Sequence, residues 1–169
     1  MDFKIELVRY EHTVGESGLH LQFTPAYRRS IFADERVKRL VELYLLAKAD
    51  ELKVLIAGLG FGPDHLHVFV CNWKNYSIED LTRRLKGFVS RMMRKNHWKL
   101  FKKDLYGKKF WSEGYFHRTI GSVTKDAMEF YVTHSQDKHW EFVDYDIYKY
   151  QKQLTLKEFS SNAPHFSAG

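Results

Sequence analysis

Leu52 to Leu59 and His65 to Cys71 are two short apolar runs separated by a segment that carries Gly60, Gly62 and Pro63. Runs of this length bounded by glycine and proline form strands. A connection this short returns the second strand antiparallel beside the first. The segment between the two runs is therefore expected to be the turn of a hairpin.

The flanks supply the rest of the pattern. Leu19 to Thr24 alternates apolar and polar residues and is ended by Pro25, which predicts another strand. Over Asp34 to Ala49, Val37, Leu40, Val41 and Tyr44 recur at helical spacing, with Asp34 placed to cap the start. Ser77 opens a second helix with Asp80 in the capping-box position. Ile78, Leu81, Leu85, Phe88 and Met92 form its predicted apolar stripe. Tyr115 to Ile120 reads as a further strand and Val123 to about Gln136 as a last helix. The order strand, helix, strand, strand, helix, strand, helix predicts an α+β fold. Its expected form is an antiparallel sheet with helices on one face, as in ferredoxin-like and RRM-like cores.

A hydrophobic fraction of 44% supplies such a core. Internal repeats and Pro/Gly linkers are absent, so residues 1–169 are expected to form a single domain, with a core over about 18–140 and a loosely held tail after about Tyr150. Nothing resembles the ~18-residue apolar run of a membrane span. Met1 to Glu16 lacks the apolar block of a signal peptide, and Cys71 is the lone cysteine. A cytoplasmic protein is expected.

The net charge is +6, but its distribution is uneven. Between Arg83 and Lys109 there are eleven Lys or Arg against one acid, Asp104, a block of +10 that leaves −4 for the remainder. Arg83, Lys86, Arg91, Arg94 and Lys95 bring much of this charge to the second helix. A solvated helix face would carry such a run without further purpose. The interleaved rings of Phe88, Trp98, Phe101, Tyr106, Phe110 and Trp111 favour nucleic acid, because bases stack on aromatics and phosphates attract the cations.

His65-Leu66-His67 lies in the second strand of the hairpin. Residues two apart in a strand share a face with Cα atoms ~6.6 Å apart, so two imidazoles can converge on one ion while Leu66 anchors in the core. Neutral imidazole suits a divalent transition-series ion. Cys71 shares that face but lies roughly 13 Å from His67, too far for the same ion. With nine histidines in the chain, the pair alone does not distinguish a ligand set from two packed rings. Tyr131, on the last helix, is a candidate nucleophile for a phosphodiester, given a cation to favour its phenolate. On pattern alone, Tyr115 and Tyr106 compete with it.

Five segments in series resemble one family. Gly18-Leu19-His20-Leu21-Gln22-Phe23-Thr24-Pro25-Ala26-Tyr27-Arg28-Arg29 resembles the opening strand and Tyr-Arg-Arg turn of the single-tyrosine HUH transposases of simple insertion sequences, the IS two-hundred-like type. Pro63-Asp64-His65-Leu66-His67 resembles their Pro-Asp-His-hydrophobic-His strand, and Leu85-Lys86-Gly87 their Leu-Lys-Gly helix. Phe110-Trp111-Ser112-Glu113-Gly114-Tyr115-Phe116 resembles the segment before their last strand, and Tyr131-Val132 falls where their tyrosine stands. The match covers roughly residues 18 to 140 in order.

The resemblance implies a DNA transposase that cleaves and rejoins single-stranded DNA at insertion-sequence ends. Tyr131 would form a 5′-phosphotyrosine, and His65 and His67 would hold Mg²⁺ or Mn²⁺. It also implies hairpin-bearing DNA ends as partners, a homodimer, and phosphate contacts from Arg28, Arg29 and the basic helix. The family's Gln or Asn four residues after the tyrosine is Ser135 here, and Gln136 is one further on. In a regular helix Ser135 lies roughly 40° from Tyr131, His134 roughly 60° and Gln136 roughly 140°. Gln136 fits the third ligand by chemical type and His134 by direction. Two other readings share the same features: a non-catalytic single-stranded nucleic-acid binder on an RRM-like sheet, and a domesticated REP-associated tyrosine transposase.

Overall fold

The computed structural model describes residues 8–9, 14–15, 17–121, 123–124, 126–128, 130 and 141–144. Val8–Arg9 (β1) and Val14–Gly15 (β2) pair with each other as a separate two-stranded ribbon. The main sheet holds Gly18–Phe23 (β3), Leu55–Gly62 (β4), His65–Cys71 (β5), Phe116–Ile120 (β6) and Glu141–Asp144 (β7). Their spatial order is β6-β3-β5-β4-β7, and every neighbouring pair is antiparallel. Without β7, that is the strand order of a ferredoxin-like sheet. The fifth strand, at the β4 edge, is an addition that the sequence pattern did not suggest.

Two long helices, Glu35–Leu52 (α1) and Ile78–Phe101 (α2), pack together over one face of this sheet. The Asp34 side chain accepts from the Arg36 N–H at 2.9 Å, satisfying an orphan donor of α1. The Ser77 hydroxyl accepts from the Asp80 N–H at 3.0 Å at the start of α2. Helix α1 continues to Leu52, beyond the expected end at Ala49, and closes on Lys53 in the left-handed region at φ 60°. Strand β4 consequently begins at Leu55, not Leu52.

The expected turn through Gly60 and Gly62 is also displaced. Both glycines belong to β4, and the chain reverses at Pro63-Asp64. Along α2, Leu81, Leu85, Val89 and Met93, each four apart, are fully buried. The expected stripe is therefore rotated slightly, with Phe88 and Met92 half-buried at its margin. Residues 126–128 and 130 are helical, in line with the start of the expected last helix. No helix among the described residues is long and apolar enough to cross a membrane.

Strand parity divides the sheet into two faces. Leu19, Leu21 and Phe23 on β3 and Leu66, Val68 and Val70 on β5 point into the core beneath α1 and α2. His20 and Gln22 on β3, and His65, His67, Phe69 and Cys71 on β5, belong to the opposite face. At its Cys71 end this second face is covered by a smaller apolar cluster of Ala57, Phe69, Cys71, Ile120, Val123 and Met128. The histidines lie toward the other end.

Candidate active site on the sheet

His65 and His67 occupy one face of β5, next to the Pro63-Asp64 turn, as the residue spacing predicts. Their rings meet edge to face with centroids 5.8 Å apart. Both are buried, at 2% exposure. On β4, Gly60 stands opposite His67 and Gly62 opposite His65. A Cβ built on Gly62 would lie 2.4 Å from the His65 ring, so the missing side chain is the space His65 occupies.

Each histidine is held by a neighbour through its Nδ1. His65 Nδ1 donates to Asp64 Oδ1 at 2.5 Å, and the other carboxylate oxygen of Asp64 accepts from Arg28 Nε at 2.8 Å. Burial pushes the Asp64 carboxyl up, but hydrogen bonding and charge from His65 and Arg28 outweigh it and hold the group below its ordinary range. Arg28 belongs to a tight turn in which Tyr27 (φ 57°) and Arg28 (φ 53°) are both left-handed. Such backbone is strained for non-glycine residues and persists where surrounding bonds enforce it. Here those bonds include Arg28 N–H to the Pro25 carbonyl, Ala26 N–H to the Phe110 carbonyl and the Arg28–Asp64 pair.

His67 Nδ1 meets Nε2 of His20, which projects from β3 onto the same face. Burial, then the nearby His20 and His65, push the His67 imidazole down to about 2. Burial, then the Arg118 charge, push His20 down to about 4. Both rings are neutral at physiological pH, the form that ligates a cation. Gln22 stands directly opposite His67 in register and shares its face. A divalent ion therefore fits the donor chemistry of His65 and His67. Among the described residues no group of three His, Cys, Asp or Glu side chains is arranged to share one ion.

His20 and Asp64 were not singled out from the sequence. A lone histidine in a strand carries no signal by itself; its parity with His67 across a strand pair becomes legible only once the pairing is known. Tyr131, His134 and Gln136 lie outside the described residues.

The cations divide into two kinds. Arg83, Arg91 and Lys95 are exposed on α2, with Arg83 paired to Asp80 and Arg91 over the Phe88 ring at 5.8 Å. Arg29 lies over Tyr106, 5.5 Å from its centroid. Lys86 and Arg94 are instead engaged by the protein. Lys86 Nζ donates to the carbonyls of Ser112 and Gly114 at 2.7 and 3.0 Å, and burial lowers its pKa. Arg94 Nη1 donates to the Gly107 carbonyl at 2.8 Å. These two side chains tether the loop after α2. Between that loop and α2 lies a groove of about 490 Å³ lined by Arg83, Lys86, Lys109, Trp111 and Tyr115 among others.

Residues 13–135 match the family described as "Transposase IS200 like". The chain belongs to the IS200-like transposases. Similar family members include the transposases for insertion sequence element IS200 from Salmonella typhimurium and Salmonella typhi, each 28% identical over 127 residues, covering 75% of this chain and 82% of theirs. Among solved structures, a Deinococcus radiodurans R1 protein assigned as a transposase superimposes with a TM-score of 0.60 at 22% identity. That match covers 75% of this chain and 95% of the other. It shares the fold. Membership in the IS200-like transposases makes the chain a DNA-processing enzyme by family.

Proposed function

We propose that this transposase cleaves and rejoins single-stranded DNA at insertion-sequence ends, with the histidine face of the sheet as its catalytic centre. The observation that carries the reading is the placement of two buried imidazoles on one face, each held through Nδ1. His65 and His67 would hold Mg²⁺ or Mn²⁺, with Gln136 or His134 as the third donor. Such an ion polarises a phosphate and stabilises charge developing on its oxygens.

Tyr131 is the nucleophile in this reading. Its phenolic oxygen bonds to phosphorus, the bond from phosphorus to the 3′ oxygen breaks, and the proton lost by the phenol is balanced by one gained at the 3′-OH. The product is a 5′-phosphotyrosine, which conserves the energy of the broken bond, so rejoining needs no nucleotide cofactor. Hairpin-bearing DNA is the proposed substrate and a homodimer the proposed assembly. Arg28, Arg29, Arg83, Arg91 and Lys95 are the proposed phosphate contacts, while Lys86 and Arg94 act chiefly by holding the loop that borders the groove.

The test is a denaturing gel of labelled single-stranded DNA from the flanks of the gene, with Mn²⁺ or with EDTA. Expected is a metal-dependent product whose 5′ phosphate is attached to protein and which disappears in Tyr131→Phe. DNA binding without a covalent product would favour the non-catalytic binder.

A further inference from the structure

We propose that His20 and Asp64 are positioning residues that fix the tautomers of the paired histidines, leaving Nε2 of both rings as the metal-facing atoms. This rests on the metal-site reading above and assigns work to two side chains that reading does not use.

A neutral imidazole carries one proton, and the nitrogen that ligates a cation must be the other one. His65 Nδ1 lies 2.5 Å from Asp64 Oδ1, and an ionised carboxylate only accepts, so the proton of His65 sits on Nδ1. Arg28, 2.8 Å from the second carboxylate oxygen, fixes the orientation of that acceptor.

For His67 the partner is another imidazole, so two arrangements are chemically available. In one, His67 Nδ1–H donates to His20 Nε2, and the proton of His20 is on its own Nδ1. In the other, His20 Nε2–H donates to His67 Nδ1, which places the His67 proton on Nε2 and closes that atom to a cation. Only the first makes the two histidines equivalent ligands. The His20 ring is held for this task. It lies nearly parallel to His67 (16°, centroids 4.7 Å) and to Phe69 (9°, 4.6 Å), with the Phe116 ring edge-on at 5.8 Å. At 3% exposure, bulk water does not compete for its nitrogens.

The first measurement is the two-bond ¹H–¹⁵N correlation spectrum of ¹⁵N-histidine-labelled, metal-free full-length protein. Expected are Nδ1 protons on His65, His67 and His20; an Nε2 proton on His67 overturns the proposal. The second is Mn²⁺ titration followed by electron paramagnetic resonance. His20→Phe keeps a flat ring against Phe69 but removes the acceptor, and is expected to weaken Mn²⁺ binding ~10–100-fold. His20→Asn, whose amide oxygen accepts, is expected to recover part of that loss, which a purely packing role would not produce. Equal Mn²⁺ affinity in wild type and His20→Phe overturns the proposal while leaving the metal site standing. A wild type that takes up no Mn²⁺ removes the metal site and this proposal together. If His20→Phe does not fold, Asp64→Ala carries the same titration with the same two outcomes, and the wild-type tautomers are measured regardless.

Discussion

The two faces of the central sheet are built from alternate residues of the same strands, yet they obey opposite rules. Leu66, Val68 and Val70 of β5 face the α1–α2 layer, where they join the large apolar cluster that excludes water. His65 and His67, one residue out of phase, are just as buried but polar, and each is met by a placed hydrogen-bonding partner. Burying a polar group without a partner costs roughly 2–7 kcal/mol, so a buried polar face survives only with its partners in place. One face therefore carries stability, and the other, in the proposed function, carries chemistry at some cost to stability.

The largest expected effect comes from breaking the apolar face. Leu66→Ala, at a fully buried position, should lose ~2–5 kcal/mol in denaturant unfolding. A loss under ~1 kcal/mol would mean that face is not the folding core. Gly62→Ala strikes the other face, since the added methyl would crowd the His65 ring. Single-turnover DNA cleavage should fall ~10–100-fold, as expected for misplacing a reacting group, while the melting temperature moves far less than for Leu66→Ala. An unchanged rate would contradict the placement of His65 in the site.

The pH dependence of metal-free protein sharpens the contrast. His20 and His67 have pKa values lowered to about 4 and about 2, against ~6.5 when unfolded. As pH falls below ~6.5 the unfolded chain takes up protons that the native state refuses, so stability present at pH 7 is progressively lost. Both histidines should add to this loss, which begins near ~6.5 and grows as the pH falls further. Melting in EDTA at pH 7.5 and 5.5 should show it, and His20→Phe should reduce it; a flat profile would mean the rings are solvated. The smallest effects belong to the surface. Lys95→Ala should lower the salt slope of DNA binding by about 1 with stability unchanged, whereas Lys86→Met should loosen the loop after α2 and cost stability through its lost carbonyl bonds. Equal behaviour of the two variants would contradict the division between contact and tether.

Much of the helical layer was legible in the sequence because capping and apolar spacing are local signals. Asp34 and Ser77 cap as their positions suggest. What failed depended on distant contacts. Gly60 and Gly62 read as a turn, yet both are strand residues, and Gly62 leaves room for the His65 ring opposite. Lys86 and Arg94 read as exposed cations because nothing in the sequence reveals that carbonyls of residues 107–114 converge on them. His65 and His67 were visible as a pair, but His20 entered the site only through strand pairing. Tyr131 rested on family resemblance throughout.

The most direct measurement sets two adjacent residues against each other. Leu66→Ala and His67→Ala are assayed side by side for thermal stability and, below both melting temperatures, for Mn²⁺-dependent DNA cleavage. Expected is a Leu66→Ala protein that is much less stable but still cleaves while folded, and a His67→Ala protein that stays folded and does not cleave. A His67→Ala protein that cleaves at the wild-type rate would contradict the assignment of chemistry to this face of the sheet.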